Sequence, residues 1–137
     1  MDLFTFNTLT DPTLNLRVEK EFPGLRCVGG KYTAENHTIT LYERDIAIQC
    51  ERKLGSLERV EEYAWIIYAH ELGHAMDPLL SEMSEEFFRT SDSGILYQIE
   101  SNAWEIAKGY IPFIDQDLFA LIREESLRHC TARVEAV

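Results

Sequence analysis

Two histidines and a glutamate, His70, Glu71 and His74, form the pattern His-Glu-x-x-His. Histidines four residues apart on an α-helix lie one turn apart on the same face, so both imidazoles can bind one ion. Neutral imidazole nitrogen is a preferred ligand of Zn²⁺. Glu71 flanks that face, and from there its carboxylate can take a proton from a water molecule at the metal. The three residues therefore predict a zinc centre in which Glu71 is the general base.

A catalytic zinc ion usually has three protein ligands and one open position, so a third ligand is needed. Glu100 stands out because it lies in a segment with helical periodicity, between the apolar residues Ile99 and Ala103. A carboxylate that points inward needs a partner, and a metal ion would be one. The residues alone leave several candidates open: Asp77, Glu82, Glu85, Glu86, Asp92, Glu100, Glu105 and His129.

The motif requires a helix, and residues 56–76 have the pattern of a buried one. Ser56 is a candidate N-cap, and Asp77-Pro78 is expected to end the helix. Between Tyr63 and Ala69 the segment is apolar nearly all round, which is typical of a central helix. The two histidines and the glutamate lie at its buried end.

The segments before this helix predict a further helix, a hairpin and a third helix. Asp11-Pro12 has the pattern of a helix entrance, and apolar residues recur every four positions from Leu14 until Pro23. Gly29-Gly30 is predicted to be a turn that opens a β-hairpin of residues 31–34 and 37–42. Residues 45–54 alternate ambiguously, and we interpret them as a helix closed by Gly55.

The segments after the motif helix are mostly helical in rhythm. Residues 81–92 are acidic and predict a loop or a short surface helix. Residues 94–111 and 115–134 each have helical periodicity. The fold class predicted is α+β, with a small antiparallel sheet or hairpin and four or five helices. No repeat or linker interrupts the chain, so residues 1–137 are expected to form a single domain.

Composition excludes several classes of function. The chain of 137 residues has 24 acidic and 13 basic residues, a net charge of −11. Binding to nucleic acid or to an anionic membrane uses a basic surface, so neither is expected. The longest apolar run is six residues, against the roughly 20 that span a bilayer. The first residues have no basic segment before an apolar core and are not expected to be a secretory signal. Three widely spaced cysteines, Cys27, Cys50 and Cys130, predict reduced thiols and a cytoplasmic protein.

The motif residues 70–74, His-Glu-Leu-Gly-His, are followed by Ile-Glu-Ser-Asn-Ala-Trp-Glu-Ile-Ala-Lys-Gly-Tyr-Ile-Pro at 99–112. Together they resemble the ImmA/IrrE family of zinc metallopeptidases, over roughly residues 38–112. The resemblance implies a zincin-like fold with His70, His74 and Glu100 as zinc ligands and Glu71 as general base. It also implies protein substrates, often DNA-binding repressors of mobile elements or stress regulons. Trp104 stands where many larger zincins have an aspartate that orients a histidine, so the residue that orients His70 is unassigned.

Three functions remain open on the sequence. The first is a zinc-dependent endopeptidase that cuts a protein substrate. The second is a regulatory protein, an antirepressor or immunity-type factor, that keeps the zincin fold and binds without cutting. The third is a metal-dependent hydrolase of non-peptide amides. The residue that would donate a hydrogen bond to the oxyanion is also undecided. Its candidates are Tyr63, Tyr68, Tyr97, Tyr110 and His129.

Overall fold

The computed structural model describes residues 1–135 of the chain, and side chains up to residue 130. In this part of the chain the fold is α+β, as predicted, with six α-helices and one three-stranded sheet. The elements in chain order are α1 (Leu3–Thr10), β1 (Asn15–Glu19), β2 (Gly30–Thr33), a 3₁₀ turn (Ala34–Asn36), β3 (Thr38–Tyr42), α2 (Glu43–Leu54), α3 (Val60–Ala75), α4 (Leu80–Thr90), α5 (Ser93–Tyr110) and α6 (Gln116–Glu135).

Contacts between residues group the chain into two compact units, one of residues Met1–Glu71 and one that begins at Leu72. The first unit contains the sheet, in the strand order β1-β3-β2. β3 pairs in parallel with β1 and antiparallel with β2, and all five of its residues are buried. The residues of β3 are β-branched, aliphatic or aromatic, which suits a central strand buried on both faces. Whether the chain is a single domain stays a prediction.

The predicted helix that began at Asp11-Pro12 is wrong. α1 instead ends at Thr10 with Asp11 as its C-cap, and the residues that follow form β1. A spacing of four residues fits one face of a strand as well as one face of a helix, so the apolar repeat did not distinguish the two. The sheet is consequently mixed and not purely antiparallel, and the helices exceed the predicted four or five.

The other predicted elements match the structure more closely. The hairpin is confirmed as β2 and β3, and the helix at 45–54 is confirmed as α2. Gly55 ends α2 with a φ of 78°, a left-handed conformation that glycine adopts without strain. The motif helix begins at Val60 and not beside Ser56, because residues 56–59 turn the chain after this cap. Residues 80–90 form a surface helix, one of the two forms predicted.

The second unit packs α5 on α4 and α6. Trp104 is 1% exposed, meets Phe119 edge to face at 5.5 Å and donates its indole N–H to the Ser126 hydroxyl at 3.3 Å. Its ring is therefore part of the core of this unit. Across the described residues, no helix combines the length and the apolar character that a membrane span requires.

A chain of polar side chains ties the end of α1 to the hairpin. The imidazole of His37 lies between Tyr32, whose hydroxyl is 2.7 Å from Nδ1, and Asp11, whose Oδ2 is 2.9 Å from Nε2. The hydrogen bond from His37, with others from Thr13, lowers the pKa of Asp11 from 3.8 to about 2. Ionised Asp11 therefore stabilises the fold of this unit.

We expect Asp11→Asn to lower stability at neutral pH, with an effect that shrinks as the pH falls through about 2. The folded-state pKa of Asp11 lies below its ordinary value, so its contribution is present above about pH 4 and is lost as the pH falls toward 2. Urea unfolding of both proteins at several pH values measures this difference.

The control is the same substitution in a His37→Asn background, because asparagine tolerates the left-handed backbone of residue 37, where φ is 48°. In that background the pH-dependent part of the difference should shrink. An equal pH dependence in both backgrounds would show that His37 does not stabilise the Asp11 carboxylate.

Candidate metal centre

The last turns of α3 carry the His-Glu-x-x-His residues on one continuous helix. Candidate ligand atoms of His70, Glu71 and His74 all lie within 4.8 Å of one another. The side chains are 13%, 9% and 12% exposed, respectively, so three ionisable groups are largely withdrawn from water. Within this group, Nδ1 of His70 lies 3.1 Å from Oε2 of Glu71. The sequence motif has therefore become a compact, largely buried set of nitrogen and oxygen donors.

Of the candidate third ligands, Glu100 contacts a motif histidine. Its Oε2 lies 3.0 Å from Nε2 of His74, and its side chain is 21% exposed. Two ligands of a tetrahedral zinc ion, each about 2.0–2.1 Å from the metal, lie about 3.3 Å apart. The spacing of the two atoms is thus compatible with one shared ion. Glu100 does not belong to the group of three whose ligand atoms lie within 4.8 Å of one another. The motif residue that it contacts is His74.

The other candidate ligands are placed differently. Most are exposed: Glu82, Glu85, Glu86, Asp92, Glu105 and His129. Glu105 pairs with Arg123 at 3.0 Å on the surface. Asp77 is buried, and its Oδ1 accepts a hydrogen bond from the Leu79 N–H at 2.9 Å. Asp77 therefore shapes the turn after α3, as the sequence predicted.

Gly73 is a residue of the motif whose role the sequence did not indicate. A methyl group at its Cα would overlap the carbonyl oxygen of Ala103 in α5. The backbones of the two helices approach so closely because position 73 has no side chain. His74 directly follows Gly73 in α3, and Glu100 lies three residues before Ala103 in α5. The side chains of His74 and Glu100 are in contact beside this point of close approach. The close approach thus sets the distance between the two side chains.

Gly30, in the first unit, has a similar role beside the motif glutamate. A Cβ at this position would lie 3.2 Å from Cγ of Glu71, 3.2 Å from Ile67 and 3.1 Å from Leu41. The prediction that Gly29-Gly30 is a turn is wrong for Gly30, which begins β2, while Gly29 lies in a bend just before the strand. The glycine provides space, and the start of β2 packs directly against Glu71.

Two of the five candidate oxyanion donors are committed elsewhere. Tyr63 and Tyr68 are fully buried, and their hydroxyls donate to Gln49 at 3.0 Å and to Asn7 at 2.9 Å. Burial raises the pKa of Tyr68, which keeps its hydroxyl protonated as the donor to Asn7. Both tyrosines therefore stabilise the helix that carries the motif. Tyr97 and Tyr110 are partly exposed, and His129 is exposed.

Comparisons of this chain with protein-family models, with curated proteins and with solved structures find no match. The functional assignment therefore depends on the residues and geometry of the site. The imidazoles of His70 and His74, with the carboxylate of Glu71 beside them and that of Glu100 next to His74, are nitrogen and oxygen donors of the kinds that can bind a divalent metal ion such as Zn²⁺.

We expect Gly73→Ala to separate α3 from α5 and to weaken zinc binding. Overpacking a close contact typically costs about 1–3 kcal/mol of stability, and the displaced helix would carry Glu100 away from His74. Urea unfolding of the metal-free protein and competition with a chelator measure the two effects.

Gly109→Ala is the matched control. Gly109 also lies on a helix of this contact, α5, but a methyl group at its Cα would have no atom within 4 Å. We expect this variant to be neutral or more stable by up to about 1 kcal/mol, with unchanged zinc affinity. Equal behaviour of the two variants would show that the contact of Gly73 with Ala103 does not position the site.

Proposed function

We propose that this protein is a zinc-dependent endopeptidase of the zincin type, which hydrolyses a peptide bond in a protein substrate. The observation that supports the proposal is the largely buried group of His70, Glu71 and His74, with Glu100 in contact with the second histidine. Ionisable groups that are buried together pair with one another or bind a common metal ion. A divalent cation bound by the two imidazoles and by Glu100 would bring these groups into one metal centre.

The proposed ligands are His70, His74 and Glu100, which leave one position open. A zinc ion held there supplies a water molecule of lowered pKa and an electrostatic partner for the negative charge that develops on the scissile carbonyl. The structure supports this choice of metal through its mixture of imidazole nitrogen and carboxylate oxygen.

Glu71 is proposed as the general base and acid. Its carboxylate takes a proton from the attacking water and returns it to the nitrogen of the departing amine. The side chain is 9% exposed and packs at Cγ against Gly30, so its position is restricted by the fold. A carboxylate held at the edge of the metal ligands has the placement that this proton transfer needs.

The extended substrate is proposed to pair with β2. The strand β3 (Thr38–Tyr42) is paired on both sides and offers no edge. Within the described sheet β2 is an edge strand, and its first residue, Gly30, contacts Glu71. A peptide added to this edge would run past the proposed base.

The resemblance to the ImmA/IrrE family directs the search for a substrate. By that resemblance we propose a protein substrate such as a DNA-binding repressor of a mobile element or stress response, met in the cytoplasm. The strongly acidic chain, with a net charge of −11, makes a direct contact with the repressor's DNA unfavourable.

We expect Glu71→Gln to retain zinc and to lose hydrolysis by about 10²–10⁴-fold, because the amide preserves shape but cannot accept the proton. Zinc per chain, measured by elemental mass spectrometry, and cleavage of a defined peptide library, followed by mass spectrometry, test both parts.

His74→Ala serves as the metal-deficient reference in the same measurements. Unchanged turnover in Glu71→Gln would overturn the proposed mechanism. Zinc-loaded wild-type protein that binds a candidate repressor and leaves it intact would favour the non-cleaving regulatory protein. Turnover confined to small amides would favour the non-peptide hydrolase.

We expect Glu100→Ala to weaken zinc binding by more than the roughly 10–100-fold that loss of an outer partner causes, because a direct ligand is removed. Chelator competition measures this affinity. Glu105→Ala is the matched control, since Glu105 lies on the same helix but is 68% exposed and pairs with Arg123. Equal affinities in the two variants would show that the third ligand is another residue.

A further inference from the structure

Asp77, just beyond the end of α3, has one carboxylate oxygen that the turn does not use. The residue is 8% exposed, and its N–H donates to the carbonyl of His74 at 3.2 Å. Oδ1 accepts the N–H of Leu79. Oδ2 is buried, and no described residue donates a hydrogen bond to it.

A buried carboxylate oxygen without a donor is unfavourable, because it has lost its water and gained nothing in exchange. Exposed residues in the same kind of turn stay hydrated, so they do not lose the hydration of a carboxylate oxygen. Asp92 also binds the N–H two residues ahead through Oδ1, at 2.8 Å to Gly94, but is exposed. Forming the turn therefore does not explain why Asp77 is buried.

A zinc-bound histidine needs an acceptor of this type. When one ring nitrogen binds the metal, the other carries the proton and donates it, usually to a carboxylate or a carbonyl. Nε2 of His74 faces Glu100 at 3.0 Å, so Nε2 is the nitrogen on the side of the ligands. Nδ1 is then the nitrogen that carries the proton, and it is buried.

We propose that Asp77 is a positioning residue for His74 and that its Oδ2 accepts the Nδ1–H of His74 when zinc is bound. The inference rests on the zinc site of the proposed function. The two residues are three positions apart at the same buried end of α3 and share a backbone hydrogen bond. The carboxylate fixes the tautomer and orientation of the ring, and it increases the basicity of the ligating nitrogen.

Asp77→Asn tests the proposal, because asparagine keeps one oxygen for the Leu79 N–H and replaces the second with an amide that cannot accept. We expect zinc affinity to fall about 10–100-fold, with unchanged unfolding of the metal-free protein. Asp92→Asn, which alters the same kind of turn at the surface, should leave the affinity unchanged. If Asp77→Asn fails to fold, Asp77→Ser keeps a hydroxyl for the turn and also lacks the second oxygen.

Nuclear magnetic resonance of the zinc-loaded protein, with ¹⁵N-labelled histidine, gives a direct readout. In the wild type the Nδ1–H of His74 should exchange slowly with water, and in Asp77→Asn it should exchange rapidly. An unchanged His74 signal overturns the proposal, and if the affinity has nevertheless fallen, the role of Asp77 is structural. Failure of the wild type to bind zinc would instead overturn the proposed function, so the two failures are distinguishable.

Discussion

The burial of ionisable side chains in the last turns of α3 is the constraint on which the rest of the site depends. His70, Glu71 and His74 are each at least about seven-eighths buried on a helix that is otherwise largely apolar. Withdrawing such groups from water is favourable only if each gains a partner. Glu100 beside His74, and Glu71 beside His70, are among the partners that the fold itself provides. A shared cation would complete the set.

Two glycines, one in each compact unit, leave space beside residues of the motif. Because Gly73 has no side chain, the backbones of α3 and α5 come into contact. Because Gly30 has none, β2 packs close to Cγ of Glu71. Neither has the positive φ that usually explains a glycine, so the reason is space. Close backbone approach also excludes water, which strengthens electrostatic interactions in the site. The architecture thus keeps small residues where the proposed chemistry needs short distances.

The accuracy of the sequence predictions followed the range of the interactions involved. α2, α5, α6 and the hairpin were predicted because their patterns are local and their ends carry glycine, proline or turn residues. β1 was mistaken for a helix because Leu14 and Val18 are four residues apart, a spacing that both elements share. Its parallel pairing with β3 joins residues more than twenty positions apart and leaves no local signature.

The sequence by itself determined the chemistry of α3: the types of residue, their spacing of four and hence the shared face of His70 and His74. Only the tertiary structure decided which of eight candidate ligands meets His74, because several acidic residues have similar local surroundings. It brought Glu100 next to His74 through the contact of α5 with Gly73, and it buried Asp77 while leaving Asp92 exposed. Helical periodicity depends on neighbours along the chain, whereas ligand choice and burial depend on packing between distant segments.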